Sequence, residues 1–475
     1  MCIHELLTII YTEYLIKYLI GDNRMKISNT LLLLLLIVLI ILILGCIIFI
    51  KTNTNDTSEV VERFATETEM KESSGYKSQL ASVSALTDSR FNGRRDMNDM
   101  LSSEFAPPLD EQCFVNFHVL TARFGGYLGP FKDGYMDPDQ YAYNALKMGF
   151  RSIMIEIDYY DTCNYEPRLA IRDVNGRAMS LEPTTPECTK GADIKALASA
   201  IRKYAFTNAV ANPNDPLIII LYILRVPPRD KTGKQVLNYL STIAEAMEPL
   251  LDKSIDSLGS GGTFSRQQQE STLLTLPITD LAGHVIFMTN ADTTGFRNQS
   301  YRPSKDLDYI VNLRLTYQQA KLGCTKKADG SLGGIETVES FMTVPDDQID
   351  NTINELKLKW TCSLSADPSV IPTDDNCDKL LTTFGVHSIP VPIWTSDPES
   401  FWIKQKSASA SASASATQPP GQTANQFSKW SFIPKAPGLR FTKPPVAVPA
   451  PASKKTDANG GLLRMPTSSL ATGGS

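Results

Sequence analysis

Residues 141–161 read YAYNALKMGFRSIMIEIDYYD, a helical stretch that runs directly into a strand. Asp137-Pro138 opens the helix, with proline where a missing N–H costs nothing, and Gly149 ends it. The strand, 151–159, places Glu156 and Asp158 on one face. The same alternation continues downstream. A helix over 192–206 carries Ile194, Leu197, Ala198, Ile201 and Ala205 on one side, and 217–226 (LIIILYILRV) has the unbroken apolar character of a buried parallel strand. A helix follows over 233–251, with further strands at 168–172, 284–289 and 386–393. Upstream, 113–120 (CFVNFHVL) reads as the first strand. This β–α rhythm predicts an α/β domain and favours a (β/α) barrel over an open sheet, though rhythm alone does not close the ring.

Outside that rhythm the texture changes. Residues 31–50, LLLLLLIVLIILILGCIIFI, hold no charge. At about 1.5 Å per residue they span about 30 Å, the hydrocarbon thickness of a bilayer, and predict a single transmembrane helix. A cleavable signal peptide starting at Met25 competes, but the run exceeds a signal core and no small-x-small site follows. Lys17, Arg24 and Lys26 precede the segment and Asp56, Glu59 and Glu62 follow it, which favours a lumenal or external C-terminal domain. The expected organisation is an N-terminal segment (1–30), the transmembrane helix (31–50), a polar stalk (51–108), the barrel (109–445) and a disordered Pro/Ala/Ser/Gly-rich tail (446–475). The run SASASASASA at 407–416 reads as a solvated insertion in the barrel.

With 46 basic against 51 acidic residues there is no cationic excess to attract nucleic acid. Six of the eight cysteines (Cys113, Cys163, Cys188, Cys324, Cys362 and Cys377) follow the apolar segment, an even number compatible with disulfides; buried free thiols are the alternative. None lies in a CxxC pair, so a zinc site is not expected. Sequons stand at Asn55 and Asn298. No GxGxxG, P-loop or GxSxG occurs. Histidine is scarce, with only His4, His118, His284 and His387.

Six stretches in order, YAYNALKMGFRSIMIEIDYYD, IRKYAF, NPNDPLIIIL, LAGHVIFMTN, GVHSIPVPI and KAPGLRF, together resemble the X-domain of phosphatidylinositol-specific phospholipase C, nearest to divergent members found in large DNA viruses. The resemblance covers about 113–444. It implies a distorted TIM barrel with its site at the C-terminal ends of the strands. It also implies attack of an inositol hydroxyl on phosphorus, served by two histidines. In the calcium-dependent branch, carboxylates and an Asn hold the metal. Here the first His-Asn pair is missing: 120–124 read LTARF, with His118 earlier. Glu156, Asp158, Asp161 and Pro167 keep the internal spacing of the second strand, but Ile171, with Arg172 beside it, stands where the second histidine falls. A register anchored on Arg151 would instead put Met154 and Glu156 at the two acidic positions. The fourth strand offers only Tyr222 or Ile223 for a further acid.

Three readings follow. The first is a membrane-anchored, catalytically degenerate barrel with a structural or binding role, in a viral or virion membrane. The second is an active phosphoric diester hydrolase of inositol phospholipids or glycolipid anchors, with His118, Glu156 and Asp158 catalytic and a weak Ca2+ site at Glu156 and Asp158. Both allow Arg123, Arg151 and Arg172 to bind phosphate of a phosphoinositide or another ligand, since guanidinium matches phosphate oxygens. A structural ion pair of Arg151 with Glu156 or Asp158 is the competing account. The third is a carbohydrate-active barrel using Glu156 with Asp158 or Asp161. Same-face neighbours are about 6.5–7 Å apart along a strand, which assigns no acid and base.

Overall fold

The computed structural model describes residues 66–91, 95–159, 164–177, 179–181, 193–210, 212–228, 230, 233–255, 273–298, 305–317, 333–394, 427 and 429–443. The expected membrane segment (31–50), the tail (446–475), the insertion (407–416), Asp161, Cys163, Cys188 and Cys324 lie outside these residues. Among the described residues no helix is long and apolar enough to cross a membrane.

The strands in chain order are β1 (Phe117–Val119), β2 (Thr121–Arg123), β3 (Gly134–Tyr135), β4 (Ser152–Asp158), β5 (Arg168–Leu169), β6 (Ser180–Leu181), β7 (Leu217–Ile223), β8 (Val285–Thr289), β9 (Leu313–Tyr317), β10 (Gly333–Thr337), β11 (Trp360–Leu364), β12 (Val391–Pro392) and β13 (Phe432–Pro434). The main helices are α1 (Glu67–Glu72), α2 (Ser74–Phe91), α3 (Met97–Leu101), α4 (Pro138–Lys147), α5 (Ile194–Ala205) and α6 (Lys234–Ala246).

A curled parallel sheet runs β11-β10-β9-β8-β7-β4-β2-β12. Its centre is set by the two most apolar strands, with Ser152 opposite Ile218 and Ile157 opposite Ile223. The chain leading into β12 bonds to both ends of the sheet. His387 N–H donates to Thr361 O at 3.0 Å and Ser363 N–H to Ser388 O at 2.9 Å, while Val119 N–H donates to His387 O at 2.8 Å. These bonds bring the two edges together, consistent with a TIM-like barrel. The expected first strand, 113–120, is instead a 3-10 turn (Phe114–Asn116) followed by β1, which pairs antiparallel with β13 below the ring. The barrel position falls to β2.

Alternation along the strands builds two cores. Ile153, Ile155, Ile157, Leu217, Ile219 and Leu221 belong to the apolar layer shared with α4, α5 and α6. Met154, Ile218, Ile220, Ile286, Met288, Leu315 and Trp360 fill the interior. Each buried aliphatic of this kind contributes about 1.5–3 kcal/mol. Asp137 caps α4 by accepting from Gln140 N–H at 3.0 Å, and Asp193 caps α5.

Within the expected stalk, α1, α2 and α3 are helices that dock on the barrel. Thr66 and Glu69 form a capping box at α1. Tyr76 Oη donates to Asp137 Oδ2 at 2.6 Å, and Thr87 Oγ1 to Asn144 Oδ1 at 2.7 Å, so α2 runs alongside α4 in the same direction. The disulfide expectation also needs correcting in part. Cys113, Cys362 and Cys377 are buried free thiols. Burial pushes the Cys362 and Cys377 thiols up to about 12, so they are unreactive packing groups.

Candidate functional site

In a parallel barrel the C-terminal strand ends converge on one mouth. Here β2 delivers Arg123 there, β4 delivers Glu156 and Asp158, and the residues just past β7 deliver Arg225. Glu156 and Asp158 share the strand face of Met154, which packs in the barrel interior.

Each carboxylate is engaged. Arg123 Nε donates to Glu156 Oε1 at 2.9 Å, and the backbone N–H of Phe124 donates to Oε2 at 2.9 Å. Phe124 adopts a left-handed backbone, φ 60°, which is costly for an aromatic residue. Its N–H bond to the carboxylate and the stacking of its ring on Trp394, centroids 5.4 Å apart, hold it there. Arg123 also lies over the Phe124 ring, 4.6 Å from its centroid. Burial raises the Glu156 carboxyl above its ordinary range, opposed by the Arg123 charge and the hydrogen bonds.

Asp158 sits between two guanidinium groups. Arg225 Nε donates to Oδ1 at 2.8 Å and Arg172 Nε to Oδ2, while Tyr159 N–H also donates to Oδ1, at 2.7 Å. Both arginines donate again to Tyr159 O, at 2.7 and 3.1 Å. Arg225 rests on the Tyr159 ring, 4.3 Å from its centroid. Among the described residues three arginines and two carboxylates meet at the mouth. No side chain or carbonyl among the described residues accepts from the two Nη amino groups of Arg123.

Arg225 had no place among the candidates read from sequence. The signal was present: it stands two residues past an apolar barrel strand, where site residues gather. Two candidates lie elsewhere. Arg151 precedes β4, at the opposite end, fully buried. It donates to Ala205 O at 2.8 Å, Pro216 O at 3.3 Å and Asp215 O, so it neither faces a phosphate nor pairs with Glu156 or Asp158. Burial lowers it to about 10. His118, on β1, is also at that end. Since Thr121 aligns with Ser152, the position level with Glu156 is 125, seven residues beyond His118. Its Nδ1 lies 2.6 Å from Val386 O, and burial lowers it to about 3. His284 and His387 likewise precede their strands, so all three described histidines lie away from the mouth.

Calcium takes six to eight oxygens with free lone pairs. Glu156 and Asp158 spend their oxygens on guanidinium and backbone N–H groups, and no cluster of three or more His, Cys, Asp or Glu occurs among the described residues. The donor set present does not fit this metal.

The fold and mouth define an α/β protein of TIM-barrel kind, with a site of paired carboxylates and arginines. No protein-family model matches the chain, and no curated protein sequence matches it. Among solved structures it is similar to PLC21 of L. pealei, at 10% identity and a TM-score of 0.40, over 61% of this chain and 35% of that one. The chain thus spans about a third of that protein. It is similar also to a Ca2+-dependent phosphatidylinositol-specific phospholipase C from Streptomyces antibioticus (11% identity, TM-score 0.37, 59% of this chain and 95% of that one). A calcium-dependent phosphoinositol-specific phospholipase C from Pseudomonas sp. gives 10% identity and a TM-score of 0.36, over 70% and 98%. Likenesses this distant carry no argument about activity.

Proposed function

We propose that this chain is a membrane-anchored, phospholipase-C-like barrel that holds a phosphate-bearing ligand at its mouth without cleaving it. The observation that carries the reading is the clamp on Asp158, a carboxylate neutralised by Arg172 and Arg225. Arginines favour an anion, and a carboxylate tied to them is a poor base and a poor metal ligand. With the described histidines at the other end, acid–base assistance worth about 10²–10⁴-fold has no imidazole to supply it. The apolar run at 31–50 supports anchoring, with the barrel on the lumenal or external side. A viral membrane is the setting that the sequence resemblance implies.

One observation favours the alternative, an active phosphoric diester hydrolase. Glu156 is buried and its carboxyl is raised, as a proton-handling group requires. The test is to present phosphatidylinositol vesicles to the full chain with and without calcium, measuring both binding and released inositol phosphate, beside Glu156→Gln and Arg225→Ala. Binding that Arg225→Ala weakens, with no release above background, supports the proposal. Release that Glu156→Gln abolishes overturns it in favour of the hydrolase.

A further inference from the structure

The end of the barrel opposite the mouth is closed by a strap, residues 429–443. Its strand β13 pairs with β1, Phe117 opposite Pro434 and His118 opposite Ile433. Lys435 N–H donates to Asn116 O at 2.8 Å, Leu120 N–H to Ser431 O at 2.9 Å, and Asn212 Nδ2 to Ser431 Oγ at 2.6 Å. His118 and Lys435 are therefore diagonal neighbours on one face of an antiparallel pair, within reach of each other's side chains. Both are enclosed, at 0% and 1% exposure. His118 Nδ1 donates to Val386 O, which leaves Nε2 a bare lone pair; that atom and Lys435 Nζ have no hydrogen-bond partner among the described residues.

His387 joins them from the segment that brings the sheet edges together. Its Nδ1 accepts Thr361 N–H at 3.0 Å and its Nε2 donates to Val115 O at 2.8 Å, the arrangement of a neutral ring. Among the described residues the other charged groups at this end include Arg440, from the strap, Glu111, which bonds to Arg440 Nη1 at 2.9 Å, and Asp215, joined to the strap through Asn212 and raised by burial to about 6, with Arg151 beside it. From β11 comes the Cys362 thiol, neutral at any ordinary pH. His118, His387 and Lys435 thus lie buried near one another, and the carboxylates at this end, Glu111 and Asp215, bond to other groups.

We propose that this floor is an acid-operated latch: as pH falls, protons enter His118 and His387 beside Lys435, and the strap releases its hold on the barrel. Burial, and then the Lys435 charge, hold His118 down at about 3 and His387 well below its ordinary value. In an open chain imidazoles titrate near pH 6.5. The closed state is fully favoured above that pH and loses ground as pH falls from about 6.5 towards 3. At pH 4.5 His118 alone shifts the ratio of closed to open by about 100-fold, and His387 acts in the same direction. Among the described residues no carboxylate bonds to His118, His387 or Lys435, so nothing there balances an added proton.

The latch is independent of what the mouth binds, and it is tested on the full chain by hydrogen exchange at pH 7.5 and 4.5, corrected for intrinsic rates. At pH 4.5 the amides of 117–122 should lose protection by about 100-fold or more while those of β7 keep theirs. Floor amides that stay protected at pH 4.5, or that open only together with β7, overturn the proposal. A His118→Gln/His387→Gln double variant keeps the side-chain donors without a titrating ring, and its floor should stay closed at pH 4.5. Opening like the native chain overturns the proposal equally. If that variant does not fold, the native-chain comparison of floor against β7 decides alone.

Discussion

Asp158 and Arg225 meet at 2.8 Å, Oδ1 to Nε, across the tops of two adjacent parallel strands. Asp158 ends β4, and Arg225 follows the paired strand β7 by two residues. Arg172 reaches the other carboxylate oxygen from the segment after β5. The arrangement fixes two guanidinium groups in place before any ligand arrives, and preorganised charge is what anion recognition rewards.

Arg225→Ala should therefore weaken binding of inositol phosphate or phosphatidylinositol vesicles. A charge-assisted hydrogen bond is worth about 1.5–3 kcal/mol, or roughly 10–100-fold in Kd by titration calorimetry. The cost in fold stability should stay below about 1 kcal/mol, because the side chain is partly exposed. Unchanged affinity would remove Arg225 from the site.

Calcium should leave the protein indifferent. Millimolar Ca2+ or a chelator is expected to shift the thermal midpoint by less than about 1 °C, since ligand-linked stabilisation requires binding to the native state. A calcium-dependent rise of several degrees would show that the Arg123–Glu156 and Arg172–Asp158 pairs yield to the metal.

Arg123→Met removes the cation from a buried pair and strands Glu156, a loss of about 3–5 kcal/mol at neutral pH. The penalty has a definite sign with pH. Glu156 is already raised by burial, and without Arg123 it rises further. A carboxyl whose folded value lies above its unfolded one stabilises the fold at low pH and loses that contribution as pH rises through the folded value. Chemical denaturation at pH 5 and pH 8 should show the variant closer to the native protein at pH 5. An equal deficit at both would mean that Glu156 finds another partner.

The α/β fold was legible in the sequence because 217–223 is an unbroken apolar run suited to a strand buried on both faces, 151–159 alternates apolar residues with Glu156 and Asp158, and the helices between them carry clear stripes. Of the residues singled out from sequence, Glu156, Asp158, Arg123 and Arg172 lie together at the C-terminal ends of the strands. Arg151 and His118 were misplaced for a common reason: sequence shows that a side chain lies on a barrel strand but not how high. A shift of a few residues exchanges mouth for floor. The helices over 66–101 gave little warning, since docking rests on a few scattered residues such as Met70, Tyr76 and Val83 rather than on a sustained stripe.

Arg151 gives a prediction that separates floor from mouth. Arg151→Met leaves the carbonyls of Ala205, Pro216 and Asp215 without their donors in a dry interior. Each buried unsatisfied group costs about 1–3 kcal/mol, so the loss should reach at least about 3 kcal/mol by denaturant titration. The fraction that remains folded should bind a phosphate ligand with native affinity. A folded variant that had lost binding would return Arg151 to the site.

A chain beginning at residue 109, where sequence texture alone places the barrel, should be markedly less stable than one beginning at residue 66. It loses the bond from Tyr76 to Asp137, which also caps α4, and the bond from Thr87 to Asn144. Asp215 loses the Met97 N–H, a 2.7 Å donor to a carboxyl that burial raises to about 6. Met70, Tyr76, Val83, Met97 and Met100 are buried, and removing them exposes the apolar surface they cover. At about 1.5–3 kcal/mol per buried apolar side chain, even a partial loss amounts to several kcal/mol, a fall in thermal midpoint of roughly 10 °C. Calorimetry on the two chains measures it. Midpoints within about 2 °C would mean that α1–α3 ride on a barrel complete without them; a fall of the expected size makes them part of the folding unit.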